Sequence, residues 1–327
     1  MPITETPMRG LYQKLDSAGI PASFAKRMLP SWWADEIAAE PAGLQQAQMY
    51  LARAFNIELQ SLADSASAPR FRSSLRKYKL TKNVSEEAVS IGANYVTGVA
   101  RLALQAFPQP QSAAPVKPAD LRTAILKTNR CVDLPALVEW CLGANIPVLH
   151  IEQVPGKKMT GLVVRDNGRY AIVLSKKGHP AHLLFHLAHE IGHVAKGHLA
   201  ADGFVVDEKI DSQNRDADEQ EADAYAVCLL NGAELRYRAG GVIANASALH
   251  LAAVRKGKET HVDAGHIIAN YGHNQDRYAM ANLALGLLGE PKHGAGVINR
   301  AFFKALNREV ISEDQLDLLR VATGFPD

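Results

Sequence analysis

The sequence predicts an α+β fold, mostly helical, with one small sheet. Three observations lead there. Short runs rich in β-branched and apolar residues cluster at 146–151, 160–165 and 169–174 and read as strands. Long stretches before and after them repeat apolar residues at helical spacing. A histidine-rich helical run, His182 to His193 with Pro180 suited to a first helical position, follows the last strand closely.

Taken in chain order, residues 1–68 read as helical and end in the small, polar segment Ser65-Ala66-Ser67-Ala68-Pro69. Helices are expected at 10–18, 22–29 and 31–40, and over 46–62 as a final pair. Residues 69–118 form a second unit. It opens with a basic run, Arg70, Arg72, Arg76, Lys77, Lys79 and Lys82, with no acid until Glu86. A helix from 85 to 107 follows, its start marked by Ser85-Glu86-Glu87, residues suited to capping and to the helix dipole. Pro108, Pro110, Pro115 and Pro118 then predict a stiff extended linker.

Residues 119–231 form the third unit, with helices at 120–127 and 135–142 before the strands. Asp166-Asn167-Gly168 between the second and third strands is a hairpin signal. A sheet at this place offers an edge on which an extended polypeptide can pair as an added strand. Residues 232–327 form a helical C-terminal region with apolar segments at 281–288 and 301–306. One of its histidines, His266 or His273, is a candidate to stabilise an oxyanion.

Composition narrows the function classes. The chain has 327 residues, 47% of them hydrophobic, enough to bury substantial cores, and a net charge of +2 that gives no global attraction to nucleic acid. No apolar stretch reaches transmembrane length. The opening residues lack a basic region followed by an apolar core, so a cytoplasmic protein is expected. Cys131, Cys141 and Cys228 form no paired framework and read as small buried residues. Cys131 is the candidate among them to approach a metal as an inhibitory fourth ligand.

The chemistry concentrates in His189-Glu190-Ile191-Gly192-His193. Residues four apart share a helix face, so His189 and His193 present two imidazoles to one metal ion. Glu190 is placed to accept a proton from a metal-activated water, the physical content of the HExxH motif of zinc peptidases. His182 and His186 lie on the same stripe, but only the 189/193 pair brings a glutamate to the base position. His186 is read as a pocket residue, and His182 and His198 as solvated. A catalytic zinc site needs a third protein ligand and an open position. The helix predicted around 218–230 supplies it: Glu221 is the leading candidate, with Asp218, Glu219 and Asp223 as alternatives.

These blocks together resemble the ImmA/IrrE metallopeptidases over about 70–231. The resemblance rests on Phe71-Arg72 with its basic stretch, 143–148, Met159-Thr160-Gly161, the run 185–193 and the acidic segment 219–226. It implies a zincin-like metallopeptidase core, Zn2+ held by His189, His193 and Glu221, and Glu190 as general base. The substrate it implies is a regulatory protein, a DNA-binding repressor of helix-turn-helix type whose cleavage switches on a stress response. The chain departs from the family pattern at His186, where a Ser or Thr is usual, and at Asn231-Gly232-Ala233, which replaces a Met-Pro.

The first 65 residues resemble an XRE-like helix-turn-helix, with 31–40 as the recognition helix. That helix carries three acids, two tryptophans and no base, whereas duplex binding needs Lys or Arg against phosphates. A protein-interaction domain is therefore expected, with Trp32 and Trp33 docking on a repressor or a second copy of this chain. Nucleic-acid contact is left to the run from Arg70 to Lys82. The alternative function is a DNA-binding regulator in which the zincin-like fold is a non-catalytic sensor or docking module.

Overall fold

A computed structural model describes residues 6–72, 75–79, 86–107, 116–199, 201–207, 217–233, 237, 243–289, 291 and 293–325. Among these, helices α1 (Pro7–Ser17), α2 (Ala22–Arg27), α3 (Pro41–Ala54) and α4 (Leu59–Ala63) precede strand β1 (Leu75–Lys79) and the long helix α5 (Glu86–Gln105). Then come α6 (Pro118–Leu126), α7 (Leu134–Gly143), β2 (Val148–His150), β3 (Gly161–Asp166), β4 (Arg169–Leu174), α8 (Pro180–Lys196), β5 (Gly203–Asp207) and α9 (Ala217–Asn231). The chain finishes with α10 (Ala246–Thr260), α11 (Ala264–Asn274), α12 (Tyr278–Gly286), α13 (Gly294–Ala305) and α14 (Glu313–Thr323). The α+β expectation holds: helices surround one five-stranded mixed sheet of order β1-β5-β3-β4-β2.

The β3–β4 hairpin forms at the predicted turn. Asn167 and Gly168 both take positive φ, 51° and 73°, the conformation a two-residue turn of this hand requires. Strands β1 and β5 were not anticipated. β5 pairs antiparallel with β3, and β1 pairs parallel with β5. The basic run therefore enters the sheet at its rim, with Arg76, Lys77 and Lys79 on an edge strand. Lys82 and most of the proline linker lie outside the described residues.

The other edge is closed. The side-chain amide of Asn299 on α13 accepts from the His150 backbone N–H at 2.8 Å and donates to the His150 carbonyl at 3.0 Å. It replaces a neighbouring strand's backbone pair, so β2 has no room for an added peptide. Among the described residues, no strand pairs with the outer side of β1.

The N-terminal helices do not build a recognition helix. Over 31–40 the chain forms only a 3₁₀ turn, Asp35–Ala39, between Pro30 and Pro41. Proline at 41 disfavours helical conformation at 40 and fixes the next start. Trp33 packs against the main core. Trp32 is half exposed, yet its indole N–H donates to Asp314 Oδ1 at 2.8 Å, and Tyr50 donates to the other oxygen of the same carboxylate. Of the two tryptophans expected to face a partner, Trp32 is thus bonded to α14 of the same chain and Trp33 packs on the core.

One contiguous core runs from Met8 on α1 through α5 and the sheet to Ala322 on α14. A second, smaller core lies within α10, α11 and α12, around Leu249, Ile268 and Leu285, and includes Ala181 of α8. Arg122 joins the two regions. Its buried guanidinium donates to the Leu229 and Leu230 carbonyls at the end of α9, at 3.2 and 2.7 Å, and to those of Thr260 and His261 at the end of α10, at 3.3 and 2.6 Å. Helix C-termini leave orphan carbonyls, and one cation here satisfies four of them. None of the described helices is long and apolar enough to cross a membrane.

Replacing Arg122 by Met keeps the stem and removes the donors. Charge-assisted hydrogen bonds contribute about 1.5–3 kcal/mol each, non-additively, so Arg122→Met is expected to destabilise the protein by about 3 kcal/mol. Urea denaturation reads the change; a shift under 0.5 kcal/mol would show that the clamp is dispensable.

Candidate metal centre

Helix α8 positions the first two ligands. Pro180 occupies its first turn, where no backbone donor is needed, and the His179 ring accepts from the Ala181 N–H at 3.2 Å. Gly197 ends the helix in the left-handed conformation at φ 69°. Along the buried face His189, Glu190 and His193 are each about 1% exposed. The Nε2 atoms of His189 and His193 face one another 3.1 Å apart.

The acid that α9 brings to the two imidazoles is Glu219. Its carboxylate oxygens lie 3.4 Å from His189 Nε2 and 3.3 Å from His193 Nε2. His189, His193 and Glu219 form the metal-compatible cluster among the described residues. The expectation of Glu221 is corrected. Glu221 stands half exposed, with Oε2 3.4 Å from His198 Nε2 and 3.9 Å from Lys196 Nζ. The reason is helical phase. Glu219 shares the face of Ala222, Asp223 and Ala226, all buried against α8. Two residues on, Glu221 is rotated roughly 160° from it at about 100° per residue.

Gly192 allows α9 to come this close. A Cβ at Gly192 would sit 2.9 Å from Ala222 Cα and 3.0 Å from the Ala222 carbonyl oxygen. With hydrogen there instead, the helices touch backbone to backbone and Glu219 reaches both imidazoles.

The donor set fits a tetrahedral ion. Zinc–ligand bonds of about 2.0–2.1 Å require donor–donor edges of about 3.3 Å. The two imidazole nitrogens stand 3.1 Å apart, His189 Nε2 lies 3.4 Å from one Glu219 oxygen and His193 Nε2 3.3 Å from the other, and the donor atoms of the three residues all lie within 4.8 Å of one another. Two nitrogens and one carboxylate leave a fourth position for water or substrate, as in catalytic sites. A carboxylate also holds His189 from behind: Nδ1 is 2.9 Å from Asp223 Oδ1. This partner fixes the ring and raises its basicity as a ligand.

Glu190 is buried beside His189 and lies against Gly161 at the start of β3. A side chain on Gly161 would overlap the Glu190 carboxylate, with its Cβ 2.7 Å from Cδ. The β3 backbone thus forms one wall of the base's pocket.

Other expectations change. His198, read as solvated, is buried, with its Nδ1 2.7 Å from His193 Nδ1. Burial, and then the neighbouring His193, hold the His198 pKa below the ordinary histidine value. His186 is buried and its ring meets Phe185 edge-on, in keeping with a pocket residue. His266 is buried behind Phe185 with its Nε2 3.0 Å from Asn231 Oδ1; burial, then Arg122, lowers its pKa to about 4. His273 is exposed and pairs with Tyr278. Cys131 lies outside the metal-compatible cluster, its thiol pushed up to about 12, chiefly by burial. The three cysteines are free.

Residues 146–238 match the family model of the IrrE N-terminal-like domain, a peptidase family; the match contains β3, β4, both histidines and the acidic start of α9, Glu219 and Glu221 included. No curated protein and no solved structure matches the chain.

Two outcomes follow from the site. Glu219→Ala should fall well below one bound zinc per chain by elemental analysis, whereas Glu221→Ala should still saturate at one; the reverse pattern would restore Glu221 as ligand. Gly161→Ala should displace the Glu190 carboxylate while leaving zinc content intact. A misplacement of about 1 Å can cost 10²-fold in rate, so unchanged turnover in that variant would dissociate the β3 wall from catalysis.

Proposed function

We propose, from the match of residues 146–238 to the IrrE N-terminal-like peptidase family model, that this chain is a zinc-dependent endopeptidase acting on a regulatory protein. The single observation that carries the reading is the convergence of His189, His193 and Glu219, whose donor atoms lie within 4.8 Å of one another, with a buried glutamate adjacent in sequence.

His189, His193 and Glu219 would hold the ion. Zinc bound there supplies Lewis-acid polarisation of the scissile carbonyl and lowers the pKa of water toward about 7. Glu190 takes the proton of the attacking water and later delivers it to the leaving amine. Both transfers need a carboxylate of fixed orientation, which packing against Gly161 provides. Asp223 keeps a proton on His189 Nδ1, so that Nε2 presents its lone pair to the metal position.

Pairing of an extended substrate with the sheet is supported only on the β1 side, since Asn299 occupies the backbone groups of β2. The substrate class, a DNA-binding regulatory protein, rests on the family resemblance. The alternative of a DNA-binding regulator has lost its recognition helix, because 31–40 holds only a 3₁₀ turn.

Glu190→Gln tests the reading. The amide preserves shape but cannot accept the water proton. The variant is expected to bind zinc normally and to lose about 10²–10⁴-fold in kcat, the usual contribution of a general base. A fluorescence-quenched peptide library read with wild type, variant and chelated wild type measures it. Hydrolysis by the wild type that survives chelation, or near-wild-type turnover in the variant, would reject the mechanism.

A further inference from the structure

Behind His193 stands a second imidazole rather than the carboxylate found behind His189. Gly197, in the left-handed conformation, folds the chain back at the end of α8, and the His198 N–H donates to the His193 carbonyl at 3.1 Å. This return lays the buried His198 ring against His193, Nδ1 to Nδ1 at 2.7 Å. The opposite nitrogen of His198 faces acceptors only: Glu221 Oε2 at 3.4 Å and Asp218 Oδ1 at 3.8 Å.

For a neutral His198, the contacts along this chain allow one arrangement of hydrogens. A carboxylate accepts and cannot donate, so His198 Nε2 carries the hydrogen. A neutral imidazole has one N–H, so His198 Nδ1 is then the acceptor. The short contact to His193 therefore requires the hydrogen on His193 Nδ1, which leaves a lone pair on His193 Nε2. That atom faces His189 Nε2 and Glu219.

We propose that Glu221 and His198 are positioning residues which act through one another to fix the tautomer and orientation of His193 as a metal ligand. The proposal rests on the reading of His189, His193 and Glu219 as the zinc site. It gives Glu221 a role without making it a ligand: it sits at the outer end of the relay, half exposed, where its charge orients a ring that touches no metal. Lys196, with Nζ 3.9 Å from Glu221 Oε2, bounds the same carboxylate on its solvent side.

The test compares zinc affinity, by competition with a chromophoric chelator, and the visible absorption of the cobalt-substituted full-length protein. Outer-shell partners of metal-bound histidines typically contribute 10–100-fold in affinity. His198→Ala should lose zinc affinity by about that factor, alter the cobalt spectrum and still saturate at one ion per chain. Glu221→Ala should shift both in the same direction by less. His198→Asn places an amide oxygen near the former Nδ1 and should recover most of the loss. In the His198→Asn background, Glu221→Ala should have no further effect, because Glu221 acts only through the imidazole. Equal effects of Glu221→Ala in both backgrounds would overturn the relay, as would wild-type affinity and spectrum in His198→Ala. Glu219→Ala and His193→Ala report separately on the underlying site. If those two retain full zinc occupancy, the ligand assignment itself fails, and the relay falls with it.

Discussion

Two helices meet at Gly192, and the absence of a single β-carbon sets how near they come. With any larger residue there, the Ala222 backbone would be pushed outward. Glu219, one turn N-terminal to Ala222, would move with it. Its contacts of 3.3–3.4 Å to two imidazoles leave no slack, since a ligand bond tolerates only a few tenths of an ångström. Asp223 depends on the same approach, so both the third ligand and the group behind His189 follow from one close contact between α8 and α9. Leu183, Leu187 and Ile191 on α8, with Ala226, Leu229 and Leu230 on α9, lie in the core on either side of it.

The electrostatics of this contact explain why the site needs a cation. Glu190, Glu219 and Asp223 are all buried, close to two ring nitrogens whose lone pairs converge. Removing a carboxylate from water costs several kcal/mol even after relaxation. A divalent ion offsets that cost and turns the repulsion of converging donors into bonding, so metal binding and local folding are coupled. The two histidines are supported differently, one by a buried carboxylate and one by an imidazole that reaches solvent-side acids. This asymmetry divides the support of the site between α9 and the turn after α8.

Architecture around the site follows from satisfying backbone groups. Asn299 closes one sheet edge, a basic strand lines the other, and Arg122 occupies four carbonyls where α9 and α10 end. The N-terminal helices share the main core and are latched to α14 through Asp314. The N-terminal helices and α14 are therefore tied to each other as well as to the main core.

Local sequence was enough for the elements whose signals are local. The β3–β4 hairpin follows from Asn167-Gly168, α8 from Pro180 and its apolar stripe, and the paired imidazoles with their adjacent base from spacing alone. In the C-terminal region the apolar segments 281–288 and 301–306 fall on α12 and the end of α13, whereas α10, α11 and α14 were not placed by periodicity. What it could not decide depends on distant partners. β1 is rich in basic residues, with no apolar alternation to mark it, and becomes a strand by pairing with β5, 128 residues further along in register. Glu219 and Glu221 are equally plausible acids by composition. The phase of α9 favours Glu219, as Ala222, Asp223 and Ala226 show in hindsight, but only the Gly192 contact fixes which face meets the histidines. His198 has the appearance of a polar residue after a helix. Gly197 turns it inward, and that inward turn has meaning only once His193 is already in place. Motif spacing determined the chemistry of two ligands and a base, because helical periodicity carries it. The third ligand and the groups behind the ligands were decided by tertiary structure, because they are set by the distance between elements that no local pattern encodes.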